Sequence, residues 1–105
     1  MSTLLLIEDP RWRTHRGLQA RLKNAVETAR KAAKLKGGFT ILLAGDQRLR
    51  ALNRDFRAKD KVTNVLSFPG TGAYGGDIAI AYGITGKEAK AAGKNRYVVF
   101  VPEPL

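Results

Sequence analysis

Runs of apolar residues alternate along this chain with one long helical stripe. Leu4, Leu5, Leu6 and Ile7 form an unbroken apolar run closed by Glu8, Asp9 and Pro10, which predicts a short buried strand over Thr3 to Glu8. From Arg13 or Thr14 to about Leu35, the residues Leu18, Leu22, Ala25, Val26, Ala29 and Ala33 recur at three- and four-residue steps. That spacing predicts an amphipathic helix with one apolar stripe. Lys34 and Lys36 suit its negative end and Gly37-Gly38 supply its stop. Phe39 to Ala44 is apolar without interruption and predicts a second strand buried on both faces.

Asp46 is a candidate N-cap for a short helix to about Phe56, with Leu49, Leu52 and Phe56 on its inner side. A charged turn follows, Arg57-Ala58-Lys59-Asp60-Lys61, and then a third strand from Val62 to Phe68 stopped by Pro69-Gly70. A Gly-rich loop leads to a fourth strand, Asp77 to Tyr82. Thr85 to Ala92 is expected as a helix capped by Thr85, with Glu88 three residues later completing a capping box. Tyr97 to Val101 is strand-like, and Pro102 and Pro104 end it. Strands alternating with helices predict an α/β or α+β sheet covered by helices.

Composition narrows the functional classes. One hundred and five residues make a single small domain. The absence of cysteine excludes disulfides, thiolate metal sites and cysteine nucleophiles. No stretch reaches the length of about 18 apolar residues that a spanning helix needs, and no secretory signal is visible, so a cytoplasmic location and no membrane partner are expected. Nineteen Lys and Arg against nine Asp and Glu give a formal charge of +10, which predicts affinity for a polyanion. The surplus is uneven: nine basic residues and the single acid Glu27 lie between Arg11 and Lys36. This segment is either a phosphate-facing surface or the wet side of an ordinary helix. Trp12 is the one aromatic near it, so base stacking has little support there.

Gly70, Gly72 and Gly75 satisfy G-x-G-x-x-G. A dinucleotide site needs a helix N-terminus after those glycines, and a strand pattern follows instead, so a flexible connection between strands is the better reading. The polar residues Thr63, Asn64 and Ser67 interrupt the apolar third strand, and such groups either find partners or line a cleft. Asp77, after two glycines, is read as structural, holding the loop by side-chain hydrogen bonds.

The segment L-N-R-D-F-R-A-K-D-K-V-T-N-V-L-S-F-P, followed by G-G-D-I-A-I-A, closely resembles the YbeY family of bacterial metal-dependent endoribonucleases. The N-terminal strand with E-D-P-R-W and the segment I-T-G-K-E-A-K-A-A-G-K are similar to the same family. The resemblance covers roughly residues 3 to 94. It implies hydrolysis of RNA phosphodiester bonds in maturation and quality control of small-subunit ribosomal RNA, with ribosomal RNA and the small subunit as partners. It implies an α+β fold, a four-stranded mixed sheet packed with helices. By motif position Arg57 corresponds to the arginine that family members need for cleavage, and a guanidinium suits two phosphate oxygens. Lys59 and Lys61 are candidate phosphate contacts. Asn64 is a candidate contact to a base or sugar, and Asp60 a brace for Arg57 or for the turn.

Relatives hold zinc with a helix of the pattern H-G-x-x-H-x-x-x-x-x-H. This sequence has one histidine, His15, among Arg13 and Arg16, where the neighbouring cations repel a metal, and it is read as a solvated helix histidine. No metal ligands are assigned, and no zinc is expected to be held by this chain. Residues 1–94 are read as an incomplete family domain and 95–105 as a divergent tail, consistent with a frameshift or premature stop. Loss of the metal-binding helix is expected to bare apolar sheet surface and favour self-association. Impaired catalysis is expected, because the metal-activated water has no holder. A non-catalytic basic module for RNA or the ribosome, and a decayed gene product, are the alternative readings.

Overall fold

A computed structural model describes residues 3–34, 37–71 and 74–91. Strand β1 is Thr3–Ile7, a 3-10 turn spans Pro10–Thr14, and helix α1 is Leu18–Ala32. Strand β2 is Phe39–Ala44, helix α2 Asp46–Arg57, strand β3 Val65–Pro69, strand β4 Gly76–Ala81 and helix α3 Tyr82–Ala91. The strands form one sheet in the order β1-β2-β4-β3, with β1, β2 and β4 parallel and β3 antiparallel at the edge. This is the expected α+β architecture with a four-stranded mixed sheet.

The register sorts the side chains onto two faces. Leu5, Ile41, Ile78 and Ser67 stand abreast, as do Ile7, Leu43, Ile80 and Val65. On this face Ile41 and Leu43 pack with Leu18, Leu22 and Val26 of α1 and with Trp12. The alternate positions Leu66, Ala79 and Leu42 turn to the other side, where Leu49 and Leu52 of α2 and Ile84 of α3 cover them. The sheet is thus a wall between α1 and the α2–α3 pair.

Local chemistry moves several boundaries away from the sequence expectation. The long helix does not begin at Arg13. The Asp9 carboxylate accepts from the Arg11 amide and Pro10 sits at the first helical position, which together favour a short 3-10 turn. Gly17, with φ +77°, then breaks the chain before Leu18. His15 is therefore not on α1; it lies in the bend, half-buried, and its Nε2 shares a 2.9 Å hydrogen bond with the Tyr82 hydroxyl. Trp12 is 2% exposed, and its indole N–H donates to the Ala44 carbonyl at 2.8 Å. It is a core residue and offers no stacking platform.

Asp46 does not cap its own helix. Gly45 holds the N-cap position, and the Asp46 carboxylate instead accepts from the Ile84 amide at 3.1 Å, capping α3 across space. Helix α3 starts at Tyr82, directly after β4, so Thr85 lies inside it and its hydroxyl donates to the Ala81 carbonyl. The expected capping box does not form, because Glu88 accepts from the Asn64 side chain. Strand β3 begins at Val65, three residues later than expected. Asn64 accepts from the Val65 amide through its own side-chain oxygen, a local bond that competes with strand pairing. Phe56 is 69% exposed, not inward; its ring edge meets Phe68, with centroids 5.5 Å apart.

Strands β3 and β4 on either side of the Gly-rich loop pair antiparallel, and among the described residues no helix starts at its glycines. A side chain on Gly70 would collide with the Tyr74 carbonyl, and Gly76 combines φ +142° with close approach to the Phe68 carbonyl. Hairpin closure, not phosphate binding, accounts for these two glycines. The Tyr74 hydroxyl donates to Asp77 and lies 2.6 Å from the Thr40 hydroxyl, so Asp77 anchors the loop as expected. Leu4 and Leu6 on edge strand β1 are 55% and 46% exposed. The expected tail strand Tyr97–Val101 and the 95–105 segment lie outside the described residues.

Candidate nucleic-acid interface

Helix α2 ends at Arg57 because Ala58 turns into the left-handed region, φ 56°. The chain then doubles back, with the Lys59 amide donating to the Asn53 carbonyl and the Lys61 amide to the Lys59 carbonyl. The Asn53 side chain closes the turn from inside by donating to the Lys61 carbonyl at 3.0 Å. Asn53 is only 4% exposed, and a buried amide with this bond fixes the loop it reaches. It is the functional residue the sequence reading passed over. Its signal is a polar side chain four residues after Leu49, on the apolar stripe of α2.

Arg57 is exposed, and its Nη2 donates to the Ser67 carbonyl at 2.7 Å. The guanidinium carbon stands 5.6 Å from the Phe68 ring centroid. One bond and one ring contact thus hold the head group while it makes no ion pair to a described residue. Such a fork retains N–H donors for phosphate oxygens. Lys59 and Lys61 stand exposed on the same turn.

Asp60 does not brace Arg57. It pairs with Arg50 at 2.8 Å, about two turns further back on α2. Hydrogen bonding from Arg50 holds the Asp60 carboxyl below its usual value, against a smaller opposing effect of burial. The Asn64 amide nitrogen donates to Glu88 and its oxygen accepts from the Val65 amide. Both polar ends are engaged within the fold, so Asn64 orders the start of β3. The turn brings together Arg57, Lys59 and Lys61, with Asn53 beneath them.

The donor set for a divalent metal does not fit here. Among the described residues no three of His, Cys, Asp or Glu come together. His15 is committed to Tyr82, on the side of the sheet covered by α1. No described helix is long and apolar enough to cross a membrane.

The fold is an α+β domain in which an exposed cationic turn lies between the end of α2 and the antiparallel edge strand β3, on a mixed sheet with helices on both faces. The chain belongs to the Endoribonuclease YbeY family, whose model matches residues 7–100. It is 43% identical over 88 residues to an Endoribonuclease YbeY of Chelativorans sp., covering 76% of this chain and 53% of the relative. A second, from Rhodopseudomonas palustris, is 38% identical over 104 residues, covering 88% and 55%. The chain spans about half the length of these curated relatives. Its fold is similar to the solution structure of TM1509 from Thermotoga maritima, with a TM-score of 0.59 and 25% identity over 89% of this chain and 60% of that one.

Proposed function

We propose that this chain supplies the RNA-holding part of an endoribonuclease acting in maturation and quality control of small-subunit ribosomal RNA. Its place of action is the cytoplasm and its partner the small ribosomal subunit. The observation that carries the reading is the geometry of Arg57, tethered by one N–H to the Ser67 carbonyl, set against the Phe68 ring and exposed on the same turn as Lys59 and Lys61. A guanidinium held this way meets a phosphodiester with little ordering cost. Membership in an endoribonuclease family makes RNA the polyanion of choice.

Cleavage is a different matter. The family resemblance implies zinc in relatives, and among the described residues no three of His, Cys, Asp or Glu come together. We infer that these 105 residues bind RNA without cutting it, and that the exposed Leu4, Leu6 and Phe56 favour self-association. The RNA reading is tested by the anisotropy of a labelled single-stranded RNA titrated with the wild-type chain and with Arg57→Gln. Loss of a charged, hydrogen-bonded contact is expected to weaken binding about tenfold. An Arg57→Gln affinity equal to wild type contradicts the assigned role.

A further inference from the structure

We propose that helix α1 and the bend before it form a second RNA-backbone surface, on the opposite side of the sheet from the Arg57 turn. This inference rests on the RNA reading above and adds a second contact region to it. The cations of the two sides are treated differently by the fold. On α2, Arg48 pairs with Glu8, Arg50 with Asp60 and Arg54 with Asp55, and Arg57 is tied to the Ser67 carbonyl. On the other side Arg11 is taken up by Asp9 and the Tyr82 ring, and Arg30 by Glu27. That leaves Arg13, Arg16, Arg21, Lys23, Lys31 and Lys34 exposed, with no ion pair or hydrogen bond from their side chains to a described residue. The one acid on α1, Glu27, is turned away to Thr3 and Arg30, so it neutralises none of these six.

The sheet register fixes where the patch lies. Leu18, Leu22 and Val26 seat α1 on the face of Ile41 and Leu43, whereas Leu49 and Leu52 seat α2 on the face of Leu66 and Ala79. An RNA strand held at Arg57 therefore reaches α1 only by passing around an edge of the sheet, or else two segments of a folded RNA are held at once. The patch also says what kind of polyanion it takes. Trp12 is buried, so no base stacks here, and contact is to phosphates without sequence preference. The outward residues between the cations are Gln19, Ala20, Asn24 and Thr28, small or polar. A membrane-lying helix needs bulky apolar anchors in that position, which favours RNA over an anionic bilayer.

The test compares three full-length chains by anisotropy with a fluorescein-labelled single-stranded RNA of about 20 nucleotides, across a salt series. They are wild type, the α1 variant Arg21→Gln with Lys23→Gln, Lys31→Gln and Lys34→Gln, and the turn variant Arg57→Gln with Lys59→Gln and Lys61→Gln. Glutamine keeps helix propensity, and circular dichroism verifies the fold. The α1 variant is expected to bind at least about tenfold more weakly at low salt, with the slope of log affinity against log salt reduced by about 2 to 3. An α1 variant within twofold of wild type, with the turn variant weakened, overturns the second surface and leaves the RNA reading standing. A weakened α1 variant with an unchanged turn variant supports the second surface and removes the Arg57 assignment. Wild type binding phosphatidylserine vesicles but not RNA overturns both.

Discussion

At Asn53 a single buried amide decides where three cations stand. Its side chain holds the Lys61 carbonyl and its own carbonyl receives the Lys59 amide, so the turn is tied at both ends to one residue of α2. Asn53→Ala removes the donor to the Lys61 carbonyl, a loss of about 1 kcal/mol, read as a lower urea midpoint. It is also expected to weaken RNA binding, because the cations lose their common anchor; Asn53→Ala with unchanged RNA affinity contradicts this. Trp12 offers the matching test of the core. It fills the space between the ends of β2 and α3, edge-on to Tyr82 at 5.2 Å. Trp12→Ala is expected to cost about 3–5 kcal/mol in chemical denaturation, whereas a stacking residue at the surface would leave stability unchanged. Both residues show what a sequence hides: Asn53 and Trp12 are defined by partners 8 and 32 positions away.

Three carboxylates held by arginines brace the fold, and this makes stability depend on acid. Asp9, Glu27 and Asp60 lie at the 3-10 turn, α1 and the cationic turn, and each is lowered in pKa, chiefly by side-chain hydrogen bonds from Arg11, Arg30 and Arg50. A lowered folded-state value means that the unfolded chain takes up the proton more readily. The stabilisation is complete above the ordinary carboxylate range and disappears as the pH falls through it towards the lowered values. The urea midpoint is expected to stay level between about pH 7 and pH 5 and to drop below about pH 4; a midpoint that rises on acidification contradicts the pairing. The strands were readable from their apolar runs, and β2 was read at its true limits, because each run is bounded by glycine or charge. Cap assignments failed where the side chain serves another element: Asp46 accepts from α3, and Glu88 accepts from Asn64 ahead of β3. Spacing along a chain carries no record of such cross-element bonds.

Among the described residues, exposed cations without an ion pair lie on both sides of the sheet, on α1 and its bend and at the Arg57 turn. The Arg57 turn was legible in the sequence through its resemblance to a family. The division of the charge was not, since it depends on which arginines meet an acid in three dimensions. Of the six basic residues between Asp46 and Lys61, three are paired with carboxylates in the fold. No such screening reaches the exposed cations of α1. Among the described residues no three of His, Cys, Asp or Glu come together, and His15 bonds to Tyr82. The central proposal is that these 105 residues bind RNA without cleaving it. Incubating a labelled RNA with the full chain and equimolar zinc, followed by denaturing electrophoresis, tests this directly. The account predicts intact RNA that is nevertheless shifted in a native gel at low salt. Shortened RNA whose formation a chelator abolishes would contradict it.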